Sequence, residues 1–301
     1  MRGPTIGVLA VLVILAASCG QLPSGSPAPG GSPTPTTEPT SARPTPTASP
    51  TAASPTGASP TTPSCPAAVP DRLSLEGVQG RSFAFAPLDD PDDVTVEGRV
   101  SGSQAWSTSK VLVAAAFLET TADGDPDAVS AANRRLIAAA LQSSDADAVR
   151  SLRQQITGRP GRAMTAVLRS IGDEKTVAPD SYEGLMPWSV REQVRFMAAL
   201  EAGEVVSAAT SAYLLETMRP IKAHRWGLGT VGATTFKGGW LRQGRVTRQL
   251  GLLDSYAVAI ATDRGRVVRQ SDGDSAHVRA MDDLAELLAA RLAWEQECRP
   301  R

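Results

Sequence analysis

Residues 105–119 read AWSTSKVLVAAAFLE, and the nature of this stretch decides the fold. From Ser107 it runs more than two turns without Gly or Pro, and residues 111–118 are apolar on every side. A helix that is hydrophobic all round must be buried all round. This apolar run is also far too short to cross a bilayer. Ser107 and Lys110 stand at i and i+3 near its start, a spacing that sets the amine beside the hydroxyl on one helical face. Burial disfavours the charged ammonium and turns a lysine into a usable base, while a helix N-terminus favours negative charge near the serine. Alone the pair is a weak signal, because a capping serine and a surface lysine have the same spacing.

Outward from this helix, residues 81–87 (RSFAFAP) and 93–100 (DVTVEGRV) read as strands joined by an Asp/Pro turn. Downstream, residues 127–141 carry a helical pattern with Asp125-Pro126 as the start signal. Further helices are expected over 145–156, 161–171, 189–202 and 207–218, the last stopped by Pro220. Strand signals return at 233–241 (ATTFKGGWL), 246–253 and 256–263. Residues 275–297 form a long amphipathic helix with Met281, Leu284, Leu288 and Leu292 on one face. The expected class is therefore α+β: a five-stranded antiparallel sheet flanked by helices, with an all-helical subdomain inserted over about residues 120–220. The two halves of the sheet must meet across that insertion.

Composition narrows the function. The 301 residues carry a net charge of −1, which excludes a general electrostatic grip on nucleic acid. Two distant histidines and three cysteines without a CxxC exclude a His/Cys zinc cage, and nothing implies a metal or cofactor. Lysine occurs only at 110, 175, 222 and 237, so each position carries information. The first 64 residues hold only three charges, Arg2, Glu38 and Arg43, and stand apart from the rest. Arg2, an apolar run over 6–17 and the small residues Ala16-Ala17-Ser18 make residues 1–18 a signal peptide. Cys19 directly after them resembles a bacterial lipobox, with Leu15 one position further from the cysteine than that pattern prefers; ordinary cleavage without a lipid is the plainer alternative. Lipidation of Cys19 would anchor an exported protein to the outer face of the cell membrane. Residues 20–64 contain eight Pro-Thr dipeptides and one large aliphatic residue, Leu22. They cannot offset their ordering entropy by burial, and read as a disordered linker with roughly 100 Å of reach. The domain then spans residues 65–301, opened by Cys65 and nearly closed by Cys298. In an oxidising compartment these two cysteines are expected to pair, which requires the ends of the domain to lie side by side.

Two more pieces complete the constellation. Ser144-Asp145 (in LQSSDADAV) follows the second helix, where a helix-to-helix turn would present the Ser144 hydroxyl; N-capping is the plainer reading of Ser144 taken singly. Lys237-Gly238-Gly239-Trp240 lies in an apolar strand, and two glycines there mean either a bulge or the close approach of a ligand or backbone.

In this order the three pieces resemble the signature of the penicillin-recognising serine enzymes, the class A β-lactamases and D,D-peptidases: S-x-x-K, then S-D-N, then K-T-G on a strand. The resemblance covers about residues 70–297. It implies Ser107 as the acylated nucleophile, Lys110 as its proton acceptor, and Ser144 as the relay to the leaving nitrogen. Lys237 would support that relay and attract a substrate carboxylate, and the N–H groups of Ser107 and Trp240 would form the oxyanion hole. The implied ligand is a β-lactam or a peptidoglycan peptide, and the implied state a monomer.

The departures are specific. Ala146 stands where the Asn of S-D-N would bind the substrate's side-chain carbonyl, and Gly238 replaces a Thr whose hydroxyl would bind carboxylate. No E-x-x-L-N is present to activate a deacylating water; Glu183, in DSYEGLMPW, is the nearest candidate, and an exposed loop carboxylate is its plainer reading. The spacing from Ser107 to Ser144 is short for the family and implies a trimmed helical subdomain. The leading expectation is a serine acyl-enzyme hydrolase with slow deacylation. Its rival is a cell-wall binding or regulatory lipoprotein that keeps the fold without turnover. An esterase of the same fold would more often have Tyr in the second motif, and Ser144 speaks against it.

Overall fold

The computed structural model describes residues 65–66, 68–240, 246–263 and 275–298. The signal peptide, Cys19 and the Pro/Thr linker read from the sequence lie outside the described residues. Strands β1 (Arg81–Pro87) and β2 (Thr95–Arg99) pair as a hairpin around the Asp/Pro turn. After the helices come β3 (Phe236–Gly239), β4 (Val246–Leu253) and β5 (Tyr256–Asp263). Their order in space is β2-β1-β5-β4-β3, with every neighbouring pair antiparallel. The two halves of the sheet join along β1–β5, from Arg81 opposite Thr262 to Pro87 opposite Tyr256.

Period-two alternation sorts these two strands by side-chain size. Phe83, Phe85, Val258 and Ile260 face α7 (Ser275–Cys298), where Met281, Leu284, Leu288 and Leu292 meet them. Ala84, Ala86, Ala257 and Ala259 face α5 (Val190–Glu201), and their small side chains let that helix lie close to the sheet. The remaining helices are α1 (Ser109–Ala122), α2 (Ala131–Gln142), α3 (Ala146–Gln155), α4 (Pro160–Ser170) and α6 (Ala208–Thr217). α1 lies among α2, α3, α4 and α6, and every residue from Ser109 to Leu118 is buried, as an all-apolar helix demands.

Two boundaries differ from the sequence expectation. Asp125-Pro126 opens only a 3₁₀ turn, Pro126–Ala128; α2 starts behind Ser130, whose hydroxyl accepts from the Asn133 N–H. β3 is shorter than its apolar run because residue 233 still closes the 3₁₀ turn Gly227–Val231, through its N–H to the Leu228 carbonyl.

The ends of the domain are fastened together. Cys65 and Cys298 form a disulfide with their Cα atoms 5.2 Å apart. One helical stretch earlier, Arg291 donates to Glu97 of β2 and, through Nε, to Glu295 at 2.9 Å, while its guanidinium lies 5.5 Å from the Phe85 ring centre. The second Glu97 oxygen accepts from Ser74 Oγ and the Leu75 N–H, both at 2.6 Å. Burial alone would raise the Glu97 carboxyl, but these hydrogen bonds and the Arg291 charge outweigh it and hold the group below its usual range.

Candidate active site

Ser107 lies in a 3₁₀ turn, Trp106–Thr108, just ahead of α1. The turn is entered through Trp106 in the left-handed region (φ 48°), a conformation that costs a non-glycine residue about 1–3 kcal/mol. Ser107 is not the cap of α1. The hydroxyls around it serve the local backbone instead: Thr108 Oγ1 donates to the Ala105 carbonyl and Ser109 Oγ to the Trp106 carbonyl at 2.7 Å. A second segment braces the turn from outside. The Ala105 N–H donates to Met186 O and the Trp188 N–H to Ser103 O, each at 2.8 Å.

Ser144 also has left-handed backbone (φ 61°) and is not the cap of α3. Asp145 is, with Oδ1 accepting from the N–H groups of Asp147 and Ala148 at 2.8 Å. Ser144 is thereby turned inward, onto two lysines. Lys110 Nζ donates to the Ser144 carbonyl and, at 3.3 Å, to its Oγ. Lys237 Nζ donates to the same Oγ at 2.9 Å and to Gly238 O at 2.9 Å. Ser107, Lys110, Ser144 and Lys237 are all at most 6% exposed. Both amines thus converge on one hydroxyl oxygen. A hydroxyl accepting from two amines also keeps its own O–H to give away.

The two glycines of β3 do different work. β3 pairs with β4 in unbroken register from Phe236 opposite Gly251 to Gly239 opposite Arg248, so there is no bulge. A Cβ on Gly239 would lie 2.9 Å from Ala105 O, Ser107 N and Thr108 N, so only glycine lets the strand pass against the Ser107 turn. A Cβ on Gly238, on the opposite face, would lie 3.2 Å from Cη2 of Trp226. Trp240 follows the strand and stands edge-on to Trp226 and His224, with ring centres 5.2 and 5.5 Å away.

Glu183 is not an exposed loop carboxylate. It is buried, and it forms an ion pair with Arg153 of α3. The expectation failed because the 3₁₀ turn Glu183–Leu185 folds back onto the Ser107 turn and α1; the neighbouring Tyr182 takes the exposed position and the left-handed backbone. Ala146 is the first residue of α3, and Asp147 pairs outward with Arg150 in an exposed bridge.

Sequence reasoning missed Arg248. Its guanidinium is 1% exposed, donating from Nη1 to Trp188 O at 2.7 Å and from Nη2 to Gly102 O at 3.0 Å. Burial pushes it down to about 10. It ties together the two segments that frame Ser107, and the available signal was a charged residue inside a predicted strand. Trp226 and His224 were missed too, because nothing in their local pattern marks them as neighbours of Trp240.

No protein-family model and no curated protein sequence matches the chain. Solved structures do. A variant of the reconstructed last common ancestor of Gram-negative class A β-lactamases is 18% identical, with TM-score 0.56 over 71% of this chain and 92% of its own. A class A β-lactamase from Bacteroides cellulosilyticus is 12% identical, with TM-score 0.54 over 71% and 91%. A PBP-A mutant, solved as an acyl-enzyme complex with penicillin G, is 20% identical, with TM-score 0.52 over 72% and 90%. The chain has the fold of the penicillin-recognising serine enzymes.

Proposed function

We propose that this protein is an acyl-transferring serine hydrolase acting on β-lactams or cell-wall peptides, with slow deacylation. The observation that carries the reading is the convergence of Lys110 and Lys237 on the Ser144 hydroxyl, one helical turn from Ser107. Ser107 Oγ attacks the carbonyl carbon as its proton passes to a neutral Lys110 amine. The oxyanion is held by the Ser107 and Trp240 N–H groups, which the close approach of Gly239 favours. The C–N bond then breaks, the nitrogen takes the Ser144 hydroxyl proton, and an ammonium proton from the lysine pair restores that hydroxyl. The product is an ester on Ser107.

Water must hydrolyse that ester, and Glu183 is the candidate base. Its Oε2 is engaged by Arg153, and no Asn or Leu completes the water-activating motif. Slow release follows. In the same reading Cys19 carries a lipid that anchors the exported protein, as a monomer, to the outer face of the cell membrane through the Pro/Thr linker.

Intact mass after incubation with benzylpenicillin tests the chemistry. The expected result is a long-lived adduct mapping to the Ser107 peptide, absent in Ser107→Ala. Rapid turnover without an adduct would overturn slow deacylation and make Glu183→Gln the next variant to assay. A folded protein that takes up no adduct would instead favour a binding or regulatory lipoprotein, the reading that Ala146 and Gly238 support.

A further inference from the structure

The side of the site beyond Gly238 is aromatic. Lys237 and Gly239 face the Ser107 turn, whereas Gly238 faces Trp226. Gly238 offers no hydroxyl, and the space its side chain would enter is taken by indole carbons: Trp226 Cη2 at 3.2 Å and Cζ2 at 3.3 Å from the position of a Cβ. Threonine at 238 therefore requires the indole to move.

The indole is held. Trp226 O accepts from Gln249 Nε2 at 2.8 Å, the Leu228 N–H donates to Gln249 Oε1 at 2.8 Å, and the Gly227 N–H donates to Asp282 Oδ1 at 2.6 Å. Gly227 itself (φ 59°) has no room for a side chain against Gln249. Trp240, edge-on between Trp226 and His224, extends the aromatic surface to the end of β3. β3 is the outer strand of the sheet among the described residues, and in the function proposed above an acyl donor whose oxyanion is held at the Trp240 N–H lies beside this surface. A carboxylate pressed against indole carbons loses water and gains no donor from them, Lys237 Nζ being directed to Ser144 Oγ and Gly238 O, and the Asp282 charge beneath the same turn opposes it. An apolar or aromatic face gains by burial there.

Resting on the function proposed above, we infer that Trp226 and Trp240 make the leaving-group subsite selective for uncharged, apolar or aromatic acyl donors, in place of donors that present a carboxylate at that position.

The test compares Ser107 acylation by benzylpenicillin and by its methyl ester, followed by intact mass. A reactive fluorophosphonate, which needs the nucleophile but not this subsite, serves as the reference probe. The ester should react at least as fast as the free acid. Trp226→Ala should lower the ester rate about ten-fold and the acid rate by less, reducing the ester-to-acid ratio. Trp226→Ala combined with Gly238→Thr should turn the preference to the free acid. A free acid reacting ten-fold faster than the ester in the unaltered protein overturns the inference and leaves the proposed function standing. Labelling by the fluorophosphonate with no reaction from either penicillin overturns it as well, while leaving Ser107 as a nucleophile. Failure of all three probes sinks the proposed function and the inference together.

Discussion

The polar cluster at Glu97 and the polar cluster at Ser144 are built on opposite principles. At the far end of α7, Glu97 meets Arg291, Ser74 and the Leu75 N–H, so that opposite charges and matched donors satisfy one another. At the candidate site, Lys110 and Lys237 bring two amines to one hydroxyl, and Trp106 and Ser144 are held in left-handed backbone beside them. The first arrangement lowers the energy of the fold. The second costs energy, and a fold keeps such an arrangement only where the surroundings over-determine it. The site residues are the more deeply buried, and the clusters differ as well in the charges they bring together and in backbone strain.

The contrast should separate in mutants. Lys110→Met keeps the apolar stem and removes the amine, so Ser107 acylation should fall about a thousand-fold, with no decrease in melting temperature. A parallel loss of both would place Lys110 in the supporting structure. The clasp should behave the other way. Reducing the Cys65–Cys298 bridge should cost about 4 kcal/mol of stability, read by urea unfolding, while acylation at low denaturant stays within two-fold. A free-thiol assay on denatured, unreduced domain should find neither cysteine reactive. Arg291→Met leaves Glu97 without its charge partner and should cost about 3 kcal/mol, again without changing acylation.

The Glu97 carboxyl is held low in the folded state, so its contribution is fully present above the unfolded value of about 4.3 and is lost as pH falls through the folded value. The stability gap between the protein and Glu97→Gln should therefore narrow with acidification through that window; a gap independent of pH would mean the charge is not what matters. The smallest effect belongs to Ser109→Ala. That hydroxyl serves the Trp106 carbonyl, so about 1 kcal/mol of stability and less than a two-fold change in acylation are expected.

Local pattern carried the sheet well. β1, β4 and β5 occupy the residues that alternation picks out, because each strand has one face on α7 and one on the helical side. Spacing paired Ser107 with Lys110, and the resemblance of the three motifs taken in order added Ser144 and Lys237, the polar residues that meet at Ser144. What stayed hidden depends on tertiary neighbours. Ser144 looked like a cap until Asp145 took that duty, and Glu183 looked exposed because the partner that buries it, Arg153, comes from another helix. Arg248 serves carbonyls at positions 102 and 188, and no local window contains both.

The pairing of β1 with β5 has a consequence for how the chain comes together. β1 and β2 are made early and can form their hairpin at once, yet the inner edge of β1 has no neighbour until β5 has been synthesised at the far side of the helical insertion. Until then Phe83 and Phe85 lack the α7 residues that cover them. Contacts this distant in sequence close slowly, and an uncovered apolar strand edge invites pairing with other chains. The Cys65–Cys298 link, spanning 233 residues, can join its native partners only after nearly the whole domain has emerged. Its formation would therefore act as a timestamp, separating chains that have finished assembly from those still exposed to misassociation.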